Sequence, residues 1–293
     1  MPVAIDEIVK ISMNMDRLTI TILVDNQVGN GLIAEHGLSI WIETQGKRIL
    51  FDTGQGGALA QNSQALGKDL GKTDILVLSH GHYDHTGGIP QILQNARGIE
   101  VYCHPGVVQP RYAIRDSNVR PIHMSSESML AINNLPIKYL HWITQPVFLS
   151  HWVGLTGSIP RETSYEDTGG PFYLDSEGVR ADPIEDDLAL WIRVDDGLVV
   201  CAGCCHAGIV NTLNHIQRLN NGLRIKAVIG GFHLLNASKG RLNQTIAALR
   251  FLDLDRVIPC HCTGEQAVTE LSNALGDMVV SHGAAGMSFH YPL

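Results

Sequence analysis

The sequence predicts an α/β fold, on three observations. Short apolar runs with the length and β-branched content of strands alternate with segments of helical character, most regularly towards the end of the chain. With 293 residues, 44% hydrophobic and 17% charged, the chain has core enough for one large α/β domain or two small ones. Several of the predicted strands are followed directly by histidine, and open α/β sheets carry their chemistry beyond the carboxyl ends of their strands. Thirty glycines fit many tight strand-to-loop turns.

The elements follow in order. Leu18–Val24 reads as a first strand ending at Asp25-Asn26, and Leu38–Thr44 as a second after a Gly-rich loop. Lys47–Phe51 is a third, joined through Gln45-Gly46 as a hairpin and ending at Asp52-Thr53-Gly54. A helix is expected over 57–66. The run Ile75–Ser79 reads as a strand buried on both faces. Pro90 then opens a helix over "PQILQNA", and Glu100–Cys103 forms a short strand. Residues 105–185 are the least regular, rich in Pro, Ser, Gly and aromatics, and read as an extended insertion or lid on a single domain spanning 1–293. Leu188–Val194 and Leu198–Cys201 form a hairpin around Asp195-Asp196-Gly197. A helix at 208–220, a strand Ile225–Ile229, a helix at 239–250, a strand Arg256–Pro259 and a helix at 264–275 close the chain.

The chemistry concentrates in His80-Gly81-His82-Tyr83-Asp84-His85, immediately past Ile75–Ser79. Four of these six residues are metal-ligand types, and imidazole with carboxylate suits Zn²⁺, Fe or Mn²⁺. If the chain stays extended, His80 and His82 point the same way, because side chains alternate with period two. Asp84 and His85 then turn toward a second ion. His206 follows "LVVCAGCC", His233 follows "AVIGGF" and His261 follows "RVIPC", so all three stand at strand ends and can converge on one rim. A structural histidine is the competing account of each. A separate cysteine site from Cys201-x-x-Cys204 and Cys260-x-Cys262 is disfavoured by its spacing, and Cys201, Cys205 and Cys260 fit small buried packing positions.

A net charge of −8 argues against a binder that tracks nucleic-acid phosphates; Arg111, Arg115 and Arg120 form the only loose basic cluster. No stretch approaches 18 apolar residues, and "MPVAIDEIVKISM" carries acidic residues where an export signal would be apolar. The expectation is a cytoplasmic protein with reduced cysteines, a small-molecule substrate, and neither a membrane nor a nucleic-acid partner.

The strings "FDTG", "LSHGHYDHTGG", "GCCHAG", "IGGFHL" and "PCHCTG", in this order and with "VDN", "AEHGLS" and "IPRET", resemble the metallo-β-lactamase superfamily. Within it they resemble the metal-dependent hydrolases related to 7,8-dihydropterin-6-methyl-4-(β-D-ribofuranosyl)aminobenzene-5′-phosphate synthase. The resemblance covers roughly residues 18–290 and implies a four-layer αββα sandwich with metals at one edge between the sheets. It implies that His80, His82 and His206 hold a first ion, and that Asp84, His85 and His261 hold a second. Asp52 would steady a ligand from behind. One position departs from the family: where many members carry a bridging Asp after a "Gly-Asp" strand end, this chain has Gly203-Cys204. Either Cys204 takes that place or no side chain bridges; its thiolate would favour zinc.

The resemblance implies two zinc ions, with Mn or Fe as alternatives, and a metal-bound hydroxide attacking a small, phosphorylated substrate. Asp84 would orient the water and His233 would donate to the leaving group or hold substrate. Glu35 and His36, with Asn26, lie on an early loop expected at the rim, and Arg161 in "IPRET" is a candidate for a substrate phosphate. A surface arginine pairing Glu162 or Asp167 is the plainer account of Arg161. The alternative function is a transferase joining a dihydropterin-methyl group to an aminobenzene-ribofuranosyl phosphate. A flavodiiron-type oxidoreductase is disfavoured, since it calls for a Glu in the first motif and an attached flavodoxin domain.

Overall fold

A strand with apolar residues at consecutive positions needs a packing partner on each face, and the layers of this molecule follow from that requirement. The computed structural model describes residues 17–293; the reading of residues 1–13 for an export signal lies outside the described residues. In chain order the first elements are β1 (Arg17–Val24), β2 (Ser39–Thr44), β3 (Lys47–Phe51), α1 (Leu59–Ala65), β4 (Ile75–Val77), α2 (Tyr83–Thr86), α3 (Ile89–Asn95) and β5 (Glu100–Cys103). Next come β6 (Tyr112–Arg115), β7 (Asn118–Pro121), α4 (Ser126–Asn133), β8 (Leu140–Trp142), β9 (Val147–Phe148), β10 (Val153–Leu155) and β11 (Phe172–Tyr173). The chain closes with β12 (Ala189–Val194), β13 (Gly197–Ala202), α5 (Ile209–Leu219), β14 (Ile225–Gly231), α6 (Lys239–Leu252), β15 (Arg256–Cys260), α7 (Glu265–Leu275) and β16 (Ser288–Pro292).

Seven strands form one sheet in the order β16-β1-β2-β3-β4-β5-β8, and six form a second in the order β15-β14-β13-β12-β10-β9. Alternate residues of the two sheets share a central core: Ile20, Ile22, Ile40, Ile42, Ile49 and Phe51 from the first meet Leu190, Ile192, Val199, Ala227 and Ile258 from the second. The intervening residues face outward and are covered in turn. Trp41, Leu50 and Leu76 pack with Leu59, Ile92 and Ile132 of the helices α1, α3 and α4. Trp191, Val200 and Val228 pack with Leu213, Ile246 and Leu271 of α5, α6 and α7. This is the four-layer αββα sandwich. Full burial of one such aliphatic side chain stabilises by roughly 1.5–3 kcal/mol.

The segment 105–185 does more than cover the site. It supplies strands to both sheets (the edge strand β8 to the first, β10 and the edge strand β9 to the second) and a separate three-stranded sheet, β11-β6-β7. These strands are two to four residues long, too short for a hydrophobic period to show. The chain's last strand, β16, pairs antiparallel with β1, a pairing that no predicted element anticipated. β4 ends at Val77, two residues before the predicted Ser79, because the Ser79 amide turns to Asp52 Oδ1 at 2.7 Å.

Candidate metal centre

All the histidines predicted at strand ends meet at one edge of the sandwich. His80 and His82 follow β4 and remain extended, so they do face the same way; His80 Nε2 lies 2.9 Å from His82 Nδ1. Gly81 between them is required by contact: a Cβ there would lie 2.2 Å from the Val107 carbonyl oxygen. Asp84 and His85 sit in the single turn α2, which starts directly after His82. His206 arrives past β13, His233 past β14 and His261 past β15. Gly203 lets the end of β13 close on the site, since a Cβ would stand 2.1 Å from Ser79 Oγ. Asp52, Cys205, His233 and His261 all have φ between 46° and 61°, left-handed values uncommon outside glycine. Such strain collects where the surrounding structure over-determines a site.

Donor atoms within 4.8 Å of one another define five groups. His80, His82 and His206 form one, matching the first predicted set. Asp84 and His261 meet at 3.3 Å, but their third neighbour is His36, while His85 groups with His80 and Cys204. Cys204 also joins His206 with His233, and His261 with Cys262, so it stands at the centre of the constellation. Its sulfur is 3.1 Å from His85 Nε2.

The outward-facing nitrogens are already engaged. His85 Nδ1 donates to Asp52 Oδ2 at 2.7 Å, His206 Nδ1 to the Thr168 carbonyl at 2.8 Å, and His261 Nδ1 to Asn26 Oδ1 at 2.8 Å. Ser79 Oγ donates to Asp52 Oδ2 at 2.6 Å and sits 2.9 Å from His80 Nδ1. Each ring therefore presents its other nitrogen inward, and these inner nitrogens, the Asp84 carboxylate and the thiols face one another. His206 Nε2 is buried with no hydrogen-bond partner. Buried polar atoms are seldom left unpaired, so the unpartnered Nε2 atoms of His82 and His206, gathered with thiols and a carboxylate, fit a cation. Imidazole, carboxylate and thiol together are a zinc-type donor set. Backing partners of this kind fix tautomer and ring orientation in metal sites.

Electrostatics agree with that role at His80, His82, His206 and Asp84. Burial, with the neighbouring imidazoles of His85, His82 and His206, holds His80 well below the ordinary histidine range, and burial does the same to His82 and His206. They stay neutral, the form that binds a cation. Burial alone would raise Asp84, but hydrogen bonds from His261 and His36 outweigh it and hold the carboxyl well below its usual value. Burial also works against charge on His85, yet Asp52 pushes its pKa up to about 9.

Not every predicted site residue reaches the centre. His36 does, with Nε2 at 3.1 Å from Asp84 Oδ2. His233 does, with its ring 4.3 Å from that of His206 and its Nδ1 buried and unpartnered. Glu35 does not: it accepts from the amides of Gln55 (2.7 Å) and Ala58 (2.9 Å), fastening its loop to the start of α1. Arg161 does not line the cavity either. Its guanidinium donates to the carbonyls of His206 (2.5 Å), Ile184 (3.2 Å) and Pro183. The acids considered as its partners bind elsewhere, Glu162 to Arg218 and Asp167 to Arg241. Cys262, Asn26, Tyr83 and Phe172 line the cavity, which encloses ≈ 530 Å³. Of these, Cys262 was signalled in the sequence by Cys260-x-Cys262, whose spacing counted against a separate cysteine site, and Phe172 by nothing local.

Known proteins resemble this chain in sequence and fold. A family model described as the metallo-β-lactamase superfamily matches residues 32–214. A crystal structure of a metal-dependent hydrolase of the β-lactamase superfamily, Tm1679, superposes with a TM-score of 0.78 at 30% identity, covering 94% of this chain and 100% of that one. An uncharacterised protein of Methanocaldococcus jannaschii is 32% identical over 90% of this chain and 97% of its own length. The 7,8-dihydropterin-6-methyl-4-(β-D-ribofuranosyl)-aminobenzene-5′-phosphate synthase of the same organism is 30% identical over 86% of this chain and 90% of its own. With the sandwich, the strand-end histidines and these likenesses in agreement, the chain belongs to the metallo-β-lactamase superfamily.

Proposed function

We propose that this protein is a dinuclear, zinc-dependent hydrolase of a small phosphorylated molecule. The observation that carries the reading is the convergence of the buried side chains of His80, His82, Asp84, His85, His206 and His261, with the rings of His80, His85, His206 and His261 each held from behind by a fixed acceptor or hydroxyl. His80, His82 and His206 would hold one ion, and Asp84, His85 and His261 the other. When bound, such ions supply an activated water and stabilise charge on the attacked group. Asp84, kept ionised by His36 and His261, accepts a hydrogen bond from the water and orients it. His233, which lines the cavity, delivers a proton to the leaving group.

The likeness to a named synthase favours a second reading, transfer of a dihydropterin-methyl group to an aminobenzene acceptor. Metal content by mass spectrometry, on protein purified without chelator or added metal, comes first, followed by a phosphoester panel. Close to two ions per chain and chelator-sensitive turnover support the hydrolase. Trace hydrolysis beside robust condensation of a dihydropterin diphosphate with an aminobenzene acceptor would replace it with the transferase. Metal-free protein with undiminished turnover would sink both.

A further inference from the structure

We propose that Arg115 and Arg120, on one face of the β6–β7 hairpin, form a clamp for a terminal phosphate at the mouth of the cavity. They would hold the anionic end of a substrate whose reacting end lies at the histidine cluster. The inference rests on the reading of that cluster as the reaction centre.

Strand register puts the two arginines on one face of the hairpin. Ala113 pairs with Arg120 and Arg115 with Asn118, so these four side chains share one face, and all four line the cavity. Opposite Arg120 stands only Ala113, which leaves room for a ligand. The hairpin is stiff: its two turn residues, Asp116 and Ser117, have φ of 47° and 66°, the left-handed pair of a tight two-residue turn. It is also fixed to the cluster. The Tyr83 amide, inside the metal motif, donates to the Ile122 carbonyl just past β7 at 3.0 Å. Phe172 of β11 pairs with Ala113, and its ring lies 5.4 Å from that of His82 and 5.6 Å from that of His206.

Charge then identifies the ligand. The chain carries 29 acidic residues against 21 basic ones, and the same segment's Arg111 and Arg180 both have carboxylate partners. Among the described residues, no carboxylate lies within ion-pair distance of Arg115 or Arg120. Arg120 instead donates to the Tyr83 hydroxyl at 2.5 Å and covers the Tyr83 ring at 5.1 Å. Two cations on diagonal positions of a stiff hairpin repel unless an anion sits between them. A phosphate offers three oxygens and nearly two negative charges to the two guanidiniums, the Asn118 amide and the Tyr83 hydroxyl, where a carboxylate offers two oxygens and one charge. Ile122, Phe172 and Leu235 line the cavity too, which suits a flat, apolar body between the two ends.

The test is calorimetric titration of the zinc-loaded full chain with phenyl phosphate, and with benzoate in parallel. In the double variant R115Q/R120Q, phenyl phosphate binding should weaken at least about tenfold, the scale of losing hydrogen bonds to a charged group. R115K/R120K should recover part of the loss. Zinc content and the melting temperature should not change, because both arginines are exposed. Unchanged phenyl phosphate binding in R115Q/R120Q, with zinc retained, overturns the clamp. Equal weakening of benzoate overturns the assignment to phosphate. Arginine-dependent binding by protein that retains no metal would keep the clamp and refute the reaction-centre reading, so the two failures are distinguishable.

Discussion

Replacing Asp52 with Asn tests whether one buried carboxylate sets both halves of the metal centre. Asp52 is fully buried and accepts from the Ser79 amide (2.7 Å), the Ser79 hydroxyl (2.6 Å) and His85 Nδ1 (2.7 Å). Ser79 Oγ in turn contacts His80 Nδ1 at 2.9 Å, so Asp52 steadies His85 directly and His80 through one hydroxyl. Asn keeps the shape and tolerates the φ of 61°, whereas Ala would add backbone strain. The Asn oxygen can still accept from the Ser79 amide, but its amide nitrogen then confronts two donors. Leaving a buried donor unpaired costs about 1–3 kcal/mol, and both His85 and Ser79 are exposed to that cost. His85 escapes only by moving its proton to Nε2, the nitrogen facing Cys204. Metal affinity should therefore fall about 10–100-fold, measured by competition with a chromophoric chelator. Ser79→Ala should do less, and the double variant should fall short of the sum because both act through one carboxylate. Affinity within about twofold of the parent in D52N would refute the relay, since a backing partner normally matters more than that. In chelator-treated protein the Asp52–His85 pair has a further signature. The folded His85 pKa is raised to about 9 by Asp52 against burial, so its contribution to stability is complete below the ordinary 6.5 and lost as pH rises through about 9. D52N should flatten that decline in unfolding experiments.

Four further outcomes follow from the same geometry. His82→Ala should lose both metal and turnover, while His233→Ala should keep metal and lose turnover; metal loss in the His233 variant, by mass spectrometry, would move it into the ligand set. Cobalt-loaded protein should show a thiolate charge-transfer band that disappears in Cys204→Ser, and a spectrum identical in the two would remove sulfur from the coordination sphere. Arg111→Met should destabilise by about 3–5 kcal/mol in denaturant unfolding, because it strands the buried Asp182 and Asp186 carboxylates. Metal loading should suffer as well, since Asp186 Oδ2 accepts from the Gly81 amide at 2.8 Å, whereas a fully metal-competent variant would show that this anchor is dispensable.

Much of the frame could be read in advance because it depends on local pattern. Leu18–Val24, the 38–51 hairpin and the 188–201 hairpin carry apolar residues at successive positions, and only a strand packed on both faces buries them all. The helices at 209–219, 239–252 and 265–275 fell within two residues of their expected bounds. The short strands of 105–185 and the closing β16 were invisible, since two to five residues near Pro and Gly hold no period and their pairing is long-range.

The motif His80–His85 determined, by residue type and spacing alone, that this chain presents clustered metal-ligand types at a strand end. Extended backbone at His80–His82 and a helical turn at Asp84–His85 are local consequences of that string. Which distant side chains complete the cluster was decided by tertiary structure. β13, β14 and β15 run parallel in one sheet, so their ends deliver His206, His233 and His261 to one rim. Cys204 comes to the centre only because Gly203 admits Ser79 against the strand end. Arg161 and Glu35 looked available in the sequence and are taken by backbone groups in the fold, because loop carbonyls and amides removed from water require partners. Arg115 and Arg120, marked in the sequence only as members of a loose basic cluster, reach the cavity through a hairpin register that no local pattern specifies.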